Sequence, residues 1–382
     1  MQRQRVIGGL VFREDGIFLP GDVCICDDRI VSEEEYFGYE GDETVIDAAG
    51  GYVIPGLTDI HFHGCMGSDC CDGSEEAFRC IAEYELQQGV TSITPATMTM
   101  PEDTLAQICR TVKGFSWEKG ADLCGLYLEG PFISVDKKGA QNERYIHGAD
   151  TQMLQRLQEI SGGKVRTVVV APETEGAIDF IQKNCGNVRI SLAHTTAGYE
   201  TSQKALSLGA SQLTHMFNAM PPLSHRAPGP IGAAADDKNC MVELICDGVH
   251  IHPAVVRTAF RIFGDERIIL ISDSMRAAGM PDGTYDLGGQ AVTVKGNLAV
   301  LADGTLAGSV TNLMDCLRTA VKCMGIPLGS AVKCAAVNPA RSAGIFQDYG
   351  TLAPGKYANI VILDGTLETK EVIHRGKPIS QA

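Results

Sequence analysis

Six side chains in this sequence have the types and spacing to hold a divalent cation and move a proton beside it: His61, His63, Glu129, His194, His215 and Asp273. The first pair lies in Pro55-Gly56-Leu57-Thr58-Asp59-Ile60-His61-Phe62-His63-Gly64, where Leu57 to Phe62 reads as a short apolar strand punctuated at both ends. Strand alternation then puts both imidazoles on one face, roughly 6.6 Å apart along the backbone. That spacing suits chelation of one cation by nitrogen atoms at about 2.0–2.1 Å. The others each close an apolar run: Glu129 after Leu126-Tyr127-Leu128, His194 after Leu192-Ala193, His215 after Leu213-Thr214 and Asp273 after Leu270-Ile271-Ser272. His250 follows a similar run, just beyond Asp247. Taken singly, each has an ordinary structural alternative, Glu129 as a helix-capping acid and His194 as a hydrogen-bonded core residue. As a set, the imidazoles and the Glu129 carboxylate are ligands that Zn²⁺ or Fe²⁺ accepts. A bound cation lowers the pKa of water from about 15.7 to about 7. Asp273 has the character of the general base that takes the water proton and returns it to a leaving group. The chemistry is metal-assisted hydrolysis.

Polar residues closing apolar strands call for a fold that gathers strand ends on one face, and a barrel of repeated strand–helix units does so. Eight strand candidates occur at intervals of roughly 20–40 residues: Leu57 to His63, Thr91 to Ala96, Leu123 to Glu129, Val165 to Ala171, Arg189 to His194, Gln212 to His215, Met241 to Asp247 and Ile268 to Asp273. Helical segments separate several of them, among them Ser74 to Gln88, Thr151 to Ile160, Thr201 to Leu208 and Ala254 to Phe263, the last following Pro253. Two more helices, Thr311 to Met324 and Leu328 to Val337, come late. Both ends of the chain are different: short strand candidates such as Arg5 to Phe12, Val23 to Cys26, Ala358 to Leu363 and Val372 to His374 alternate with turns. The expected architecture is an α/β (β/α)₈ TIM-like barrel over residues 55–345, with 1–54 and 346–382 joined in one small β-sandwich domain.

The 382 residues are 44% hydrophobic and 21% charged, in the range of globular enzymes. A net charge of −15 argues against nucleic acid or an anionic membrane as partner. An anionic substrate would therefore need a local basic pocket. The apolar run Val6 to Phe12 is too short for an export signal, and no run approaches the ~20 residues of a spanning helix. Fourteen cysteines are scattered without a Cys-x-x-Cys pair, which fits reduced thiols in a cytoplasmic protein.

These motifs resemble the N-acetylglucosamine-6-phosphate deacetylases of the amidohydrolase superfamily. The resemblance rests on Asp59-Ile60-His61-Phe62-His63-Gly64, Leu128-Glu129-Gly130-Pro131-Phe132, Leu192-Ala193-His194-Thr195, Thr214-His215-Met216-Phe217-Asn218-Ala219-Met220-Pro221, Asp247-Gly248-Val249-His250 and Ser272-Asp273, and it covers essentially the whole chain. It implies that Glu129, His194 and His215 hold the tighter metal, and that His61 and His63 serve a second ion or complete the first. It implies zinc or iron, one or two ions per subunit, and Asp273 as acid/base. It places Asn218, Ala219, Arg226 and His250 against the sugar phosphate and Leu306-Ala307-Gly308 as a segment closing over the sugar. In the loop Gly139-Ala140-Gln141, Gln141 stands where other members carry a His that polarises the acetyl carbonyl; a glutamine donates a hydrogen bond but no proton. Lys137-Lys138 just before it reads as a solvated pair near the mouth. A homodimer with a phosphate contact crossing the interface is also implied.

Three other readings compete with hydrolysis of the acetamide of N-acetylglucosamine 6-phosphate. The galactosamine epimer differs at one hydroxyl. A cyclic amidase such as a dihydroorotase usually shows a carboxylated lysine, and here no Lys ends the strands next to Glu129. A metal-stabilised sugar-phosphate sensor would leave Asp273 structural.

Overall fold

Eight apolar runs become eight parallel strands in chain order. They are β1 (Leu57–Asp59), β2 (Val90–Ile93, resumed as Ala96–Thr97), β3 (Leu126–Leu128), β4 (Val165–Val170), β5 (Arg189–Leu192), β6 (Ala210–Leu213), β7 (Met241–Ile245) and β8 (Ile268–Ile271). This is a computed structural model describing residues 2–379; Met1 and 380–382, the outer ends of the expected terminal domain, lie outside the described residues. Each strand pairs with the next, from Leu57 opposite Val90 round to Val242 opposite Ile268. The ring closes where the Asp273 amide donates to the His61 carbonyl at 3.0 Å and Ser272 Oγ donates to Asp59 Oδ2 at 2.5 Å. The fold is a (β/α)₈ barrel.

Burial on both faces explains why these strands are short and apolar. Outside, Leu57, Ile93, Leu126, Val168 and Leu213 pack on helical residues such as Phe78, Ile81, Leu105 and Ile108. Inside, Ile60, Ile245, Ile269 and Ile271 plug the barrel. At about 1.5–3 kcal/mol for each large aliphatic side chain, these contacts fix the strand positions before any polar group is added. The helices start where local caps dictate. Ser74 Oγ accepts from the Ala77 amide before Glu75–Gln87, and Asp150 caps Thr151–Ser161. The late helix Leu328–Val332 continues through a π-helical stretch, Lys333–Val337, into Asn338–Ser342.

Strands from both ends share one further sheet, in the order Lys377–Pro378, Thr369–His374, Ile360–Leu363, Tyr52–Pro55, Arg3–Phe12, Phe18–Cys26 and Arg29–Val31. Glu43–Asp47 also pairs with Arg3–Phe12, so that strand has three partners and the sheet turns about Val6, Val23, Ile25, Val53, Ile360 and Ile373.

Two local features depart from the sequence reading. The strand expected to run to Phe62 stops at Asp59, because the Asp59 carboxylate accepts from the His61 amide at 3.1 Å and from Ser272. A side-chain acceptor thus displaces the ladder. A three-stranded antiparallel sheet, Gly283–Leu287, Gln290–Lys295 and Leu298–Val300, was not expected at all. It stands over the carboxyl ends of the strands and packs Leu287, Val292 and Ala299 against Met98, Ala140 and Met275.

Candidate metal centre

The strand ends deliver their polar residues through abrupt changes of backbone direction. His194, His215 and Asp273 have φ of 45°, 32° and 49°, in a region that residues with a Cβ rarely occupy. Each turn is braced: the His215 amide donates to Glu243 Oε2 at 3.2 Å, and the Asp273 carbonyl accepts from the Ser309 amide at 2.7 Å. His61 and His63 follow β1 in irregular backbone, yet their rings meet edge-on with centroids 5.6 Å apart.

Glu129 lies between the imidazoles. Its Oε1 is 3.0 Å from His194 Nε2, 2.9 Å from His215 Nε2 and 3.6 Å from His61 Nε2. Its Oε2 is 3.2 Å from His63 Nε2, which is also 3.3 Å from Asp273 Oδ1. All six side chains are buried. Burial pushes the Glu129 carboxyl up, but bonds to His194, His215 and His63 outweigh it and hold it well below the usual range. Burial likewise disfavours charge on His61, but the Glu243 carboxylate outweighs that and holds its pKa at about 9 until a cation takes the place of the Nε2 proton.

The ring nitrogens facing outward test whether this set fits a cation. His194 Nδ1 donates to the Lys137 carbonyl at 2.8 Å, His63 Nδ1 to the Ala96 carbonyl at 3.2 Å and His61 Nδ1 to Glu243 Oε2 at 2.9 Å. Those acceptors fix the protons on Nδ1 and leave the Nε2 lone pairs directed inward. His194 and His215 Nε2 are 3.1 Å apart, and His61 Nε2 and His215 Nδ1 are buried without hydrogen-bond partners. Converging lone pairs at such spacings are what a divalent cation satisfies. The donor atoms fall into two groups, Glu129 with His194 and His215, and His61 with His63 and Asp273, each within 4.8 Å. The residues fit a divalent metal.

A cavity of about 340 Å³ opens over this cluster, lined by His63, Glu129, His194, His215 and Asp273 together with Ala140, Gln141, Asn218, Ala219, His250, Leu306 and Gly308. His61 lies beneath it. Ala307 is buried behind the lining residues Met98 and Ala140, and Arg226 is exposed and outside the cavity. The Gln141 amide is already committed: its Nε2 donates to Glu129 Oε2 at 2.6 Å, and its Oε1 accepts from the Thr99 amide at 2.6 Å. His250 Nδ1 donates to Asp247 Oδ2 at 2.7 Å. Burial lowers its pKa, but that bond outweighs it and raises the pKa overall.

Sequence reasoning missed the support behind the ligands. Glu243, wholly buried in β7, accepts from His61, from Tyr127 Oη at 3.0 Å and from Gln212 Nε2 at 2.5 Å, while Tyr127 stacks on the His61 ring with centroids 4.5 Å apart. The signal was present, since a carboxylate in the middle of Met241-Val242-Glu243-Leu244-Ile245 must have buried partners. Met98, Asp136, Leu287 and Thr305 also line the cavity unannounced. Lys137 and Lys138 part company: Lys138 pairs with Glu143 at 2.6 Å, whereas Lys137 lines the cavity.

The model of the amidohydrolase family matches residues 52–379. The chain belongs to the amidohydrolase family. Among amidohydrolases, it is 36% identical over 332 residues to the N-acetylglucosamine-6-phosphate deacetylase of Bacillus subtilis (strain 168), covering 85% of this chain and 83% of that one. It is equally 36% identical, over 328 residues, to the N-acetylgalactosamine-6-phosphate deacetylase of Escherichia coli O157:H7, covering 85% and 87%. A solved amidohydrolase, a variant of the Mycobacterium smegmatis N-acetyl-D-glucosamine-6-phosphate deacetylase in complex with N-acetyl-D-glucosamine-6-phosphate, superposes with a TM-score of 0.90 at 30% identity over 99% of each chain.

Proposed function

We propose that this amidohydrolase removes the acetyl group of N-acetyl-D-glucosamine 6-phosphate, giving glucosamine 6-phosphate and acetate in amino-sugar catabolism. The observation that carries the reading is the Glu129-centred cluster with Asp273 at its edge, in a chain related to deacetylases of this substrate class. Glu129, His194 and His215 would hold the tighter ion, zinc or iron; His61 and His63 serve a second ion or complete the first. A cation bound there supplies an activated water and a polarised carbonyl. The chain's own residues do the rest. Asp273, its carboxyl pushed up by burial but held below the ordinary range by His63 and His61, accepts the water proton and delivers it to the departing nitrogen. Asn218, Ala219 and His250 bind the phosphorylated sugar, and Leu306 with Gly308 closes over it. Gln141, tied to Glu129 and Thr99, orients the Glu129 carboxylate.

The second reading, the galactosamine epimer, is favoured by the equally similar Escherichia coli relative. Steady-state release of acetate from both 6-phosphorylated epimers, alongside metal analysis, separates the two. Release from neither sinks the function. We place the enzyme in the cytoplasm as a homodimer, consistent with fourteen unpaired cysteines and with an Arg226 that is exposed and does not line its own cavity. A monomer by light scattering at assay concentration would count against the dimer.

A further inference from the structure

A phosphorylated substrate brings about two negative charges to a cavity whose walls already hold Glu129, Asp136 and Asp273. Arg226, the arginine that the motifs point to, is exposed and does not line that cavity. Among the described lining residues one lysine or arginine is present, Lys137.

Its position is set by main-chain bonds. Lys137 ends the short 3₁₀ turn Val135–Lys137, and its carbonyl takes the proton of His194 Nδ1 at 2.8 Å. The Ser134 amide donates to the His194 carbonyl at 2.9 Å, so the turn is held at both edges of that ligand. On the other side, the Thr195 amide donates to the Ala219 carbonyl at 3.1 Å. His194-Thr195 therefore ties the Lys137 turn on one flank to the Asn218-Ala219 turn on the other. The side chain is half-buried, and its ammonium makes no ion pair or hydrogen bond among the described residues, while neighbouring Lys138 is taken by Glu143. An unpaired cation in a cavity wall that also holds three carboxylates, and bonded to none of them, is free to meet an incoming anion.

We infer that the Lys137 ammonium is a phosphate contact contributed by the same chain that holds the metal ligands, in the cavity that His250, Asn218 and Ala219 also line. The inference rests on the deacetylase reading above. It divides phosphate recognition in two: a contact within the subunit that does not depend on assembly, and whatever Arg226 adds from outside.

Steady-state kinetics of wild type, Lys137→Met and Lys137→Arg on N-acetylglucosamine 6-phosphate, with metal content measured on each protein, test it. Methionine keeps the aliphatic stem and the main-chain carbonyl that orients His194. Loss of a charge-assisted contact should raise KM roughly ten- to hundredfold while kcat and metal content stay near wild type. Arginine should restore most of the affinity. If Lys137→Met leaves KM unchanged, or lowers kcat and metal content while Lys137→Arg fails to rescue, the ammonium is not a phosphate contact. A wild type inactive on both phosphorylated epimers would refute the deacetylase reading itself, and that appears before any substitution is made.

Discussion

At the scale of single residues, the proposed reaction separates groups that would hold the centre together from one that would move a proton. Asp273 touches the cluster through His63 at 3.3 Å, whereas Glu129 meets four imidazoles. Asp273→Asn keeps the shape and removes the proposed base. Its turnover should fall by about 10²–10⁴ with metal content near wild type, measured by steady-state kinetics and elemental analysis. His194→Ala removes an inward lone pair and leaves Glu129 Oε1 without one of its short partners. That protein should lose both bound metal and activity, while His61→Ala should retain more metal, because its Nε2 sits farther from Glu129 at 3.6 Å. A metal-free His194→Ala protein with full turnover would remove the cluster from the mechanism.

Among elements, the barrel was legible because each of its eight strands is an apolar run closed by a turn or a polar residue, and burial on both faces leaves few other ways to place such runs. What the sequence hid was where hydrogen bonds end a strand. Leu57 to Phe62 reads as one short strand between Pro55-Gly56 and Gly64, yet Asp59 bonds the His61 amide and breaks the ladder three residues early. The hairpin over the site was legible but unread: Thr284-Tyr285-Asp286-Leu287 and Ala291-Val292-Thr293-Val294 alternate on either side of Gly288-Gly289. Both glycines have positive φ, 59° and 82°, the conformation that a two-residue hairpin turn of this hand demands. A Cβ on Gly288 would also lie 3.3 Å from Met98 at the cavity wall. Gly288→Val should therefore raise KM several-fold through a displaced cover and lower the thermal midpoint only modestly, because the roughly 1–2 kcal/mol of strain at that φ falls on a hairpin outside the barrel core. A large drop in midpoint would mean that the hairpin is part of the folding unit.

For the molecule as a whole, the terminal sheet is fastened to the foot of the barrel by Asp122. This carboxylate, at the start of the chain segment leading into β3, accepts from His374 Nε2 at 3.2 Å, Arg375 Nε at 3.1 Å and Tyr349 Oη at 3.1 Å. Burial pushes its pKa up, but His374 and Arg375 outweigh that and hold it below 3.8. A depressed carboxylate contributes stability that is fully present above its unfolded pKa, near 3.8, and is lost as pH falls through the folded value. Asp122→Asn should thus lower stability at pH 7 by about 1–3 kcal/mol. The gap from wild type should hold down to about pH 5 and close in more acid solution, read from urea melts across that range. A gap independent of pH would mean that the effect is packing and not charge.

The left-handed backbone at His194, His215 and Asp273 has a further consequence, for how this enzyme is maintained against mutation. A residue with a Cβ costs roughly 1–2 kcal/mol in that conformation, and glycine does not. The three positions are therefore places where an inactive protein is more robust than the working one. In the metal-free state, His215→Gly should melt above His215→Ala, a comparison in which both variants lack the imidazole and only backbone strain differs. Drift toward stability and selection for turnover pull in opposite directions at these strand ends, and a library screened for thermal tolerance alone would be expected to disarm the enzyme there first.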